Sequence, residues 1–431
     1  MLTTLGNGVS LLNAPIEGSY NVGVYLIVRA GSRDESRETA GLAHYLEHLF
    51  FKGTRKRPTA IGISREFDGL GAITNAYTDT EEVAYYAEGP ARHMQQLADI
   101  LTDMLSHPLF EAQEVERERN VVLQELAARL MHPSAWIGDH LAGVAFGGDQ
   151  PMAWTAGGYP QVIESATREQ IMNYHRTFYA PASMALVVSG GAQMDPSLAE
   201  SLLADVPGAQ PKKRIPAVWG QGERYVANVR PLSADEEAQI ELCLAFPGIP
   251  THDPHRTEMS VMCHILGSGM SSRLFHTVRE REGLCYRISA GHEAFEDAGL
   301  FEIETATRPG DVRRVAALST RELLRMAEEK VPEDELAIAK ASMIGHLFRG
   351  TETAGRSAHW YASRWRAGLP LETPVDRARA IEQVTVEQVQ ESARRIAERL
   401  SDVRLAFVGP ADQGDEILDA VASAEKVLAG A

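Results

Sequence analysis

A nine-residue pattern occurs twice in this chain, and it constrains the fold more than any other feature. Ile163-Glu-Ser-Ala-Thr-Arg-Glu-Gln-Ile171 and Ile381-Glu-Gln-Val-Thr-Val-Glu-Gln-Val389 share five of nine positions, at an offset of 218 in a chain of 431 residues. The flanking elements repeat too. Residues 21–30 alternate like a strand, and a helical stretch follows from about Thr39; residues 238–246 read as a strand, and a helical stretch follows from about Arg256. After each nonapeptide come a helix and a strand, at 184–189 and at 403–408. An offset near half the chain length indicates a duplicated α+β domain rather than a solenoid array. The expected architecture is two tandem, similar α/β-sandwich domains at 1–206 and 224–431. The segment 207–223, rich in Pro, Gly and charge, reads as the linker between them. This length suits two cores of about 200 residues each.

Charge narrows the partners. There are 42 basic and 59 acidic residues, a net charge of −17, which argues against nucleic acid and is compatible with basic peptide substrates. No uninterrupted apolar run reaches the ~18 residues that a membrane helix needs, so no membrane insertion is expected. The first twenty residues lack a basic region followed by an apolar core. Cys243, Cys263 and Cys285 are widely spaced in apolar stretches and read as reduced, buried thiols rather than a disulfide frame or a metal site. Together these features point to the cytoplasm; a mature chain whose leader has been removed would read the same way.

The chemistry concentrates in Gly41-Leu-Ala-His44-Tyr-Leu-Glu47-His48-Leu-Phe-Phe51. Leu42, Leu46, Leu49 and Phe50 recur at helical spacing, with Thr39 as the expected cap. His44 and His48, four apart, then point the same way and can grip one ion, with Glu47 beside them. This is the H-x-x-E-H order, the inverse of the commoner zinc motif. A catalytic zinc needs a third protein ligand. Residues 114–125 form a helix candidate with Val115, Val122 and Leu126 on one side and Glu118 and Glu125 two turns apart on one face. The two carboxylates are roughly 10 Å apart along the axis, too far for both to ligate one ion. One suits a ligand and the other a partner that orients a histidine; spacing alone does not say which. In the second half, the 218-residue offset puts Met262, Ile265 and Leu266 where the first half has His44, Glu47 and His48, so one metal site per chain is expected.

From Ala30-Gly-Ser-Arg-Asp-Glu35 through the His44–His48 motif to Phe51-Lys-Gly-Thr54, the chain resembles the pitrilysin/insulinase-type zinc metallopeptidases. Their shorter members include mitochondrial processing peptidase subunits and bacterial homologues. The resemblance runs from Leu5-Gly-Asn-Gly8 to Val408-Gly409. It implies one Zn2+ per chain, held by His44, His48 and Glu125, which stands 77 residues after His48. Glu118 becomes the outer partner and Glu47 the general base that takes a proton from the attacking water and passes it to the leaving amine.

The same resemblance assigns roles to residues that are bland by themselves. Residues 71–80 and 83–87 read as two strands around a polar turn, equally well an ordinary hairpin. In the family the segment matching Asn75-Ala76 holds an extended peptide by backbone pairing. Arg279 and Tyr286, seven apart across Gly283, match an Arg/Tyr pair that binds the substrate backbone and the oxyanion of the tetrahedral intermediate. Large family members have four such domains in a clamshell, of which this chain supplies half. Arg279 and Tyr286 would then serve the zinc of a partner chain. A chain with both sets favours a homodimer over a heterodimer with a homologous subunit. The expected function is a zinc-dependent metalloendopeptidase acting on short or unfolded peptides inside a closed chamber. The alternatives are a processing-peptidase-like subunit that needs a different partner, and a non-catalytic structural subunit of the same fold. Other histidines, among them His107, His132, His140 and His264, lack partners at ligand spacing and are expected to pack or face solvent.

Overall fold

The computed structural model describes residues 1–207, 213–230 and 239–429, with side chains to residue 424. The chain forms two compact units. The first comprises Met1–Ala128, Trp154–Ile215 and Phe348–Leu371; the second comprises Arg129–Ala153, Pro216–Leu347 and Glu372–Ala431.

In the first unit the described residues form a six-stranded sheet of β1 (Leu2–Thr4), β2 (Ser10–Pro15), β3 (Asn21–Val28), β4 (Ile73–Thr78), β5 (Val83–Pro90) and β6 (Met184–Gly190), in the order β1-β2-β6-β3-β5-β4. The β2–β6 pair is parallel; the others are antiparallel. One face carries Val22, Val24, Leu26 and Val28 into a core shared with helices Leu42–Phe50, Met94–Ser106 and Ala112–Met131. On the other face Tyr25 and Ile27 meet Ala358, Ala362 and Trp365 of helix Ala354–Arg366. Strand β3 is therefore buried on both faces, and the alternation expected over residues 21–30 gives way to an almost continuous buried run from Val22 to Val28.

In the second unit the described residues form a five-stranded sheet of β7 (Tyr225–Val229), β8 (Ile240–Pro247), β9 (Cys285–Ala294), β10 (Gly299–Thr307) and β11 (Arg404–Gly409), in the order β7-β11-β8-β10-β9. Without β1, both sheets place their strands in the order first, fifth, second, fourth, third, and in both the first and fifth strands run parallel. The two units thus share a topology. The repeated nonapeptide has a local reason. Thr167 and Thr385 each cap a helix by accepting from the N–H of a Gln three residues on, and each Gln returns a bond to its threonine's N–H. At the position of the first unit's helix Leu42–Phe50 stands Arg256–Gly267, where Met262, Ile265 and Leu266 are 0, 3 and 0% exposed in the core.

The units differ from two contiguous halves. Their divide between Ile215 and Pro216 falls inside the expected linker, of which residues 208–212 lie outside the described set. Each unit also takes up a helix from the other half of the sequence. Ala354–Arg366 covers the first sheet, and Pro133–Phe146 packs on β11 and β8 of the second. The reason is the second face of each sheet. Its apolar residues need a cover that the contiguous half does not supply. Helix Ala354–Arg366 is anchored by Arg29, whose guanidinium lies 4.2 Å from the Trp365 ring centroid. Arg366 also pairs with Glu81 at 3.0 Å, and Glu81 with Arg33 at 2.6 Å. The second-half strand placed at 238–246 runs over Ile240–Pro247, and residue 238 lies outside the described set.

On the face of the second sheet opposite its main core, Cys243, Glu302 and Glu304 gather on β8 and β10. Burial, with Glu293 and Glu304 nearby, raises the Glu302 carboxyl from the usual 4.5 to about 8. A carboxyl raised on folding binds more protons in the native state, so stability falls as pH climbs from about 4.5 to about 8. Glu302→Gln, neutral and of similar size, removes that dependence. We expect the variant to melt at a higher temperature than the parent near pH ~9 and at a similar one near pH ~5. Parallel melting curves for the two proteins across that range would contradict the assignment.

Candidate functional site

The helix Leu42–Phe50 buries Leu42, Ala43, Tyr45, Leu46, Leu49 and Phe50, which leaves His44, Glu47 and His48 together on its half-buried face. Its start differs from the expected Thr39 cap. Gly41 occupies the cap with φ 104°, and a Cβ there would stand 2.8 Å from the Cα of Gly158. The free N–H groups of Gly41 and Ala43 are taken by the carboxylate of buried Glu35, each at 2.7 Å. Burial pushes the Glu35 pKa up, and these donors at a helix N-terminus pull against it. Thr39 instead closes a turn with Ser36.

The helix Ala112–Met131 supplies the carboxylates. Val115, Glu118, Val122 and Leu126 are buried along it, and the Tyr45 hydroxyl donates to the Val115 carbonyl, which fixes its register against the motif helix. His44 Nε2 lies 3.6 Å from Glu125 Oε1, and His48 Nε2 lies 3.4 Å from Glu125 Oε2. The two Nε2 atoms are 3.3 Å apart. These two imidazoles and one carboxylate offer ligand atoms that all lie within 4.8 Å of one another. Glu118 sits on the other side of His48, with Oε2 3.3 Å from Nδ1 and Oε1 2.8 Å from Lys52 Nζ. The two glutamates that spacing left undistinguished thus face opposite nitrogens of one ring. Burial lowers the His48 pKa, but the carboxylates of Glu125, Glu47 and Glu118 outweigh it and the net shift is upward.

Glu47 points beside this cluster. Its Oε2 accepts from the Thr78 hydroxyl at 2.6 Å. Burial raises its pKa, against the lowering effect of that hydrogen bond and of His48. Asn75 and Ala76 lie on β4, the edge of the first sheet, which among the described residues pairs with β5 alone. The exposed Asn75 accepts from the Ala76 N–H at 2.9 Å.

Arg279 and Tyr286 belong to the second unit, and the structure brings them together there. A π-helical turn at Phe275–Arg281 and Gly283 with φ 64° lead into β9. The Arg279 guanidinium lies 4.4 Å from the Phe275 ring centroid and 5.1 Å from that of Tyr286, a residue that is 80% exposed. His107 bonds to Asp103 and Asp205, and His140 stacks on Trp136.

Three supporting residues escaped sequence reasoning: Glu35, Lys52 and Thr78. Each lies inside a quoted segment, but Lys52 and Thr78 act through contacts with distant stretches, and Glu35 reaches six and eight residues ahead to the helix start, and no local period encodes these contacts.

The donor set of two imidazoles and a carboxylate fits a zinc-type ion. A carboxylate on Nδ1 fixes the tautomer that leaves Nε2 to bind. We expect Glu118→Gln to weaken metal binding about 10- to 100-fold in a chelator competition assay. Unchanged affinity would remove Glu118 from that role.

Residues 14–153 match the family described as Insulinase (Peptidase family M16), and residues 165–343 match that described as Peptidase M16 inactive domain. An uncharacterized zinc protease of Streptomyces coelicolor is 30% identical over 97% of this chain and 92% of its own. One from Mycobacterium leprae is 32% identical over 91% and 88%. Among solved structures, a peptidase M16 inactive domain from Pseudomonas fluorescens superposes with a TM-score of 0.86 at 21% identity, covering 96% of this chain and 98% of that one. A protease from Helicobacter pylori gives 0.84 at 19%, covering 95% and 99%. A chain of Complex III2 from Candida albicans gives 0.81 at 16%, covering 98% and 99%. Identity with the zinc-protease relatives across both units, together with the two matched segments, establishes that the chain belongs to the insulinase-type peptidase family M16.

Proposed function

We propose that this chain is a zinc-dependent metalloendopeptidase that hydrolyses peptide bonds in short or unfolded peptides. The observation that carries the reading is the convergence of His44 Nε2, His48 Nε2 and the Glu125 carboxylate beside Glu47. His44, His48 and Glu125 would hold the ion, and Glu118 would orient His48. Zinc held there would polarise the scissile carbonyl and make an attacking water more acidic.

The rest falls to the chain's own residues. Glu47 takes the water's proton as the oxygen attacks the carbonyl carbon and delivers it to the leaving amine as the C–N bond breaks. The outer edge of β4 at Asn75-Ala76 pairs with the peptide backbone, largely indifferent to side chains. Arg279, a cation among aromatic rings, and exposed Tyr286 supply donors to the substrate backbone and the oxyanion. In this reading they act on a partner chain's site, as a homodimer, and the peptide is enclosed in a chamber.

Fold alone does not separate this from a non-catalytic structural role, since a chain of a multisubunit complex, Complex III2, superposes nearly as well as the protease does. What favours catalysis is the intact set of His44, Glu47, His48 and Glu125. The second unit's buried Met262, Ile265 and Leu266 fit the description of its matched segment as an inactive domain. Among the described residues no helix is long and apolar enough to cross a membrane.

Two measurements test the proposal. Glu47→Gln should retain one zinc per chain while losing cleavage of a quenched basic peptide by at least about 100-fold; retained turnover would sink the role of Glu47. Mixing Glu47→Gln chains with Tyr286→Phe chains should restore activity if the sites are shared. Failure of rescue, with subunit exchange demonstrated, would count against sharing.

A further inference from the structure

We propose that Thr78 is the positioning residue of Glu47, and that it ties the orientation of the base to the strand against which the peptide is laid. This rests on the reading above, in which Glu47 is the base and β4 the peptide-holding strand.

Glu47 stands on the helix Leu42–Phe50, and its side chain has three rotatable bonds. Packing alone would leave its carboxylate several orientations. The Thr78 hydroxyl, reaching from the last residue of β4, donates to Oε2 at 2.6 Å. With Oε2 engaged, Oε1 is the oxygen that takes the proton from water as the new C–O bond forms, and that yields it to the amine as the C–N bond breaks. The Thr78 proton stays on Oγ1 throughout, so the hydroxyl is neither acid nor base.

Strand geometry explains why this contact is firm. Side chains alternate along β4. Ala76 packs against the main core of the first unit, on the side of the motif helix, and Thr78 follows on that face. Tyr77 turns to the opposite face, where it joins Tyr25 and Tyr86 and donates to Glu82 Oε1 at 2.7 Å. The end of β4 is thus held from both faces within two residues. Its outer edge, where the Ala76 N–H points to Asn75 Oδ1, is the one part of this strand not tied into the sheet among the described residues. A peptide paired along that edge would add backbone hydrogen bonds to the same short strand that carries Thr78. Binding the substrate and aiming the base would then share one element.

The experiment compares Thr78→Val and Thr78→Ser in the full zinc-loaded chain. Valine keeps the shape and the strand preference and removes only the hydroxyl. Thr78→Val should lower kcat about 10- to 100-fold, with KM within about twofold and one zinc still bound per chain. Thr78→Ser should recover most of the loss. In the Glu47→Gln background, adding Thr78→Val should leave the affinity for a fluorescent basic peptide unchanged, because the base is no longer there to be aimed. A wild-type kcat in Thr78→Val overturns the proposal, as does a raised KM at constant kcat or a Thr78→Ser variant as impaired as Thr78→Val. A parent chain without metal-dependent cleavage overturns the peptidase reading and this inference with it. A cleaving parent with an indifferent Thr78→Val overturns this inference alone.

Discussion

The candidate site depends on one buried carboxylate. Glu118 lies under the motif helix with little access to water, and a lone charge in that position would be costly. It is tolerated because both oxygens are engaged, one by the Lys52 ammonium and the other by His48 Nδ1. Those bonds set the rotation of the His48 ring and, through it, the direction of Nε2. The hydroxyl of Tyr45 on the Val115 carbonyl does the complementary work of fixing how far the long helix slides along the short one. A slip of one residue would turn Glu118 and Glu125 away from the imidazoles by about 100°. Helix register, ring orientation and ligand convergence are therefore one constraint met by a few contacts.

Duplication gave the chain two copies of a sheet topology, and the copies use one helix position in opposite ways. In the first unit the helix after the second strand leaves three polar side chains half-exposed and relies on Glu35 and the Gly41–Gly158 approach to hold its start. In the second unit Met262, Ile265 and Leu266 at that position simply fill the core. A half-buried cluster of imidazoles and carboxylates contributes less to packing than three apolar side chains do. The first copy compensates with fixed polar contacts around it.

Much of this was legible in the sequence because its signals are local. The capping threonines Thr167 and Thr385 mark the repeat. The period of Leu42, Leu46 and Leu49 puts His44, Glu47 and His48 on one face, and the spacing of Val115, Val122 and Leu126 does the same for Glu118 and Glu125. The illegible parts are non-local. Nothing in residues 354–366 says that this helix covers the first sheet rather than the second, because its small residues Ala358 and Ala362 suit either apolar face. The motif helix is capped at Gly41 and not at the expected Thr39 because a side-chain acceptor from six residues upstream, Glu35, replaces the usual one at the cap itself. Thr78 looked like one more strand threonine, since its partner is set by the packing of β4 under the helix and not by any spacing along the chain.

A final regularity concerns where chemistry gathers. With β1 left aside, the third strand in sequence stands at the edge of both sheets, β4 in one and β9 in the other. An edge strand has one row of backbone groups available for another chain and must be guarded when none is there. On β4 the Asn75 side chain covers the Ala76 N–H. On β9 the second residue, Tyr286, lies beside Arg279, a charged group next to the start of the edge. The segment that precedes each edge strand differs: helix Ala60–Gly69 leads into β4, whereas a π-helical turn at Phe275–Arg281 leads into β9 and sets the Arg279 guanidinium 5.1 Å from the Tyr286 ring centroid. The shared topology thus offers the same open edge twice. The two copies have diverged in what they place beside it: the first sets Glu47 of the motif helix against Thr78 of β4, and the second sets Arg279 against Tyr286 of β9, so one duplicated topology carries two different polar sets at equivalent edges.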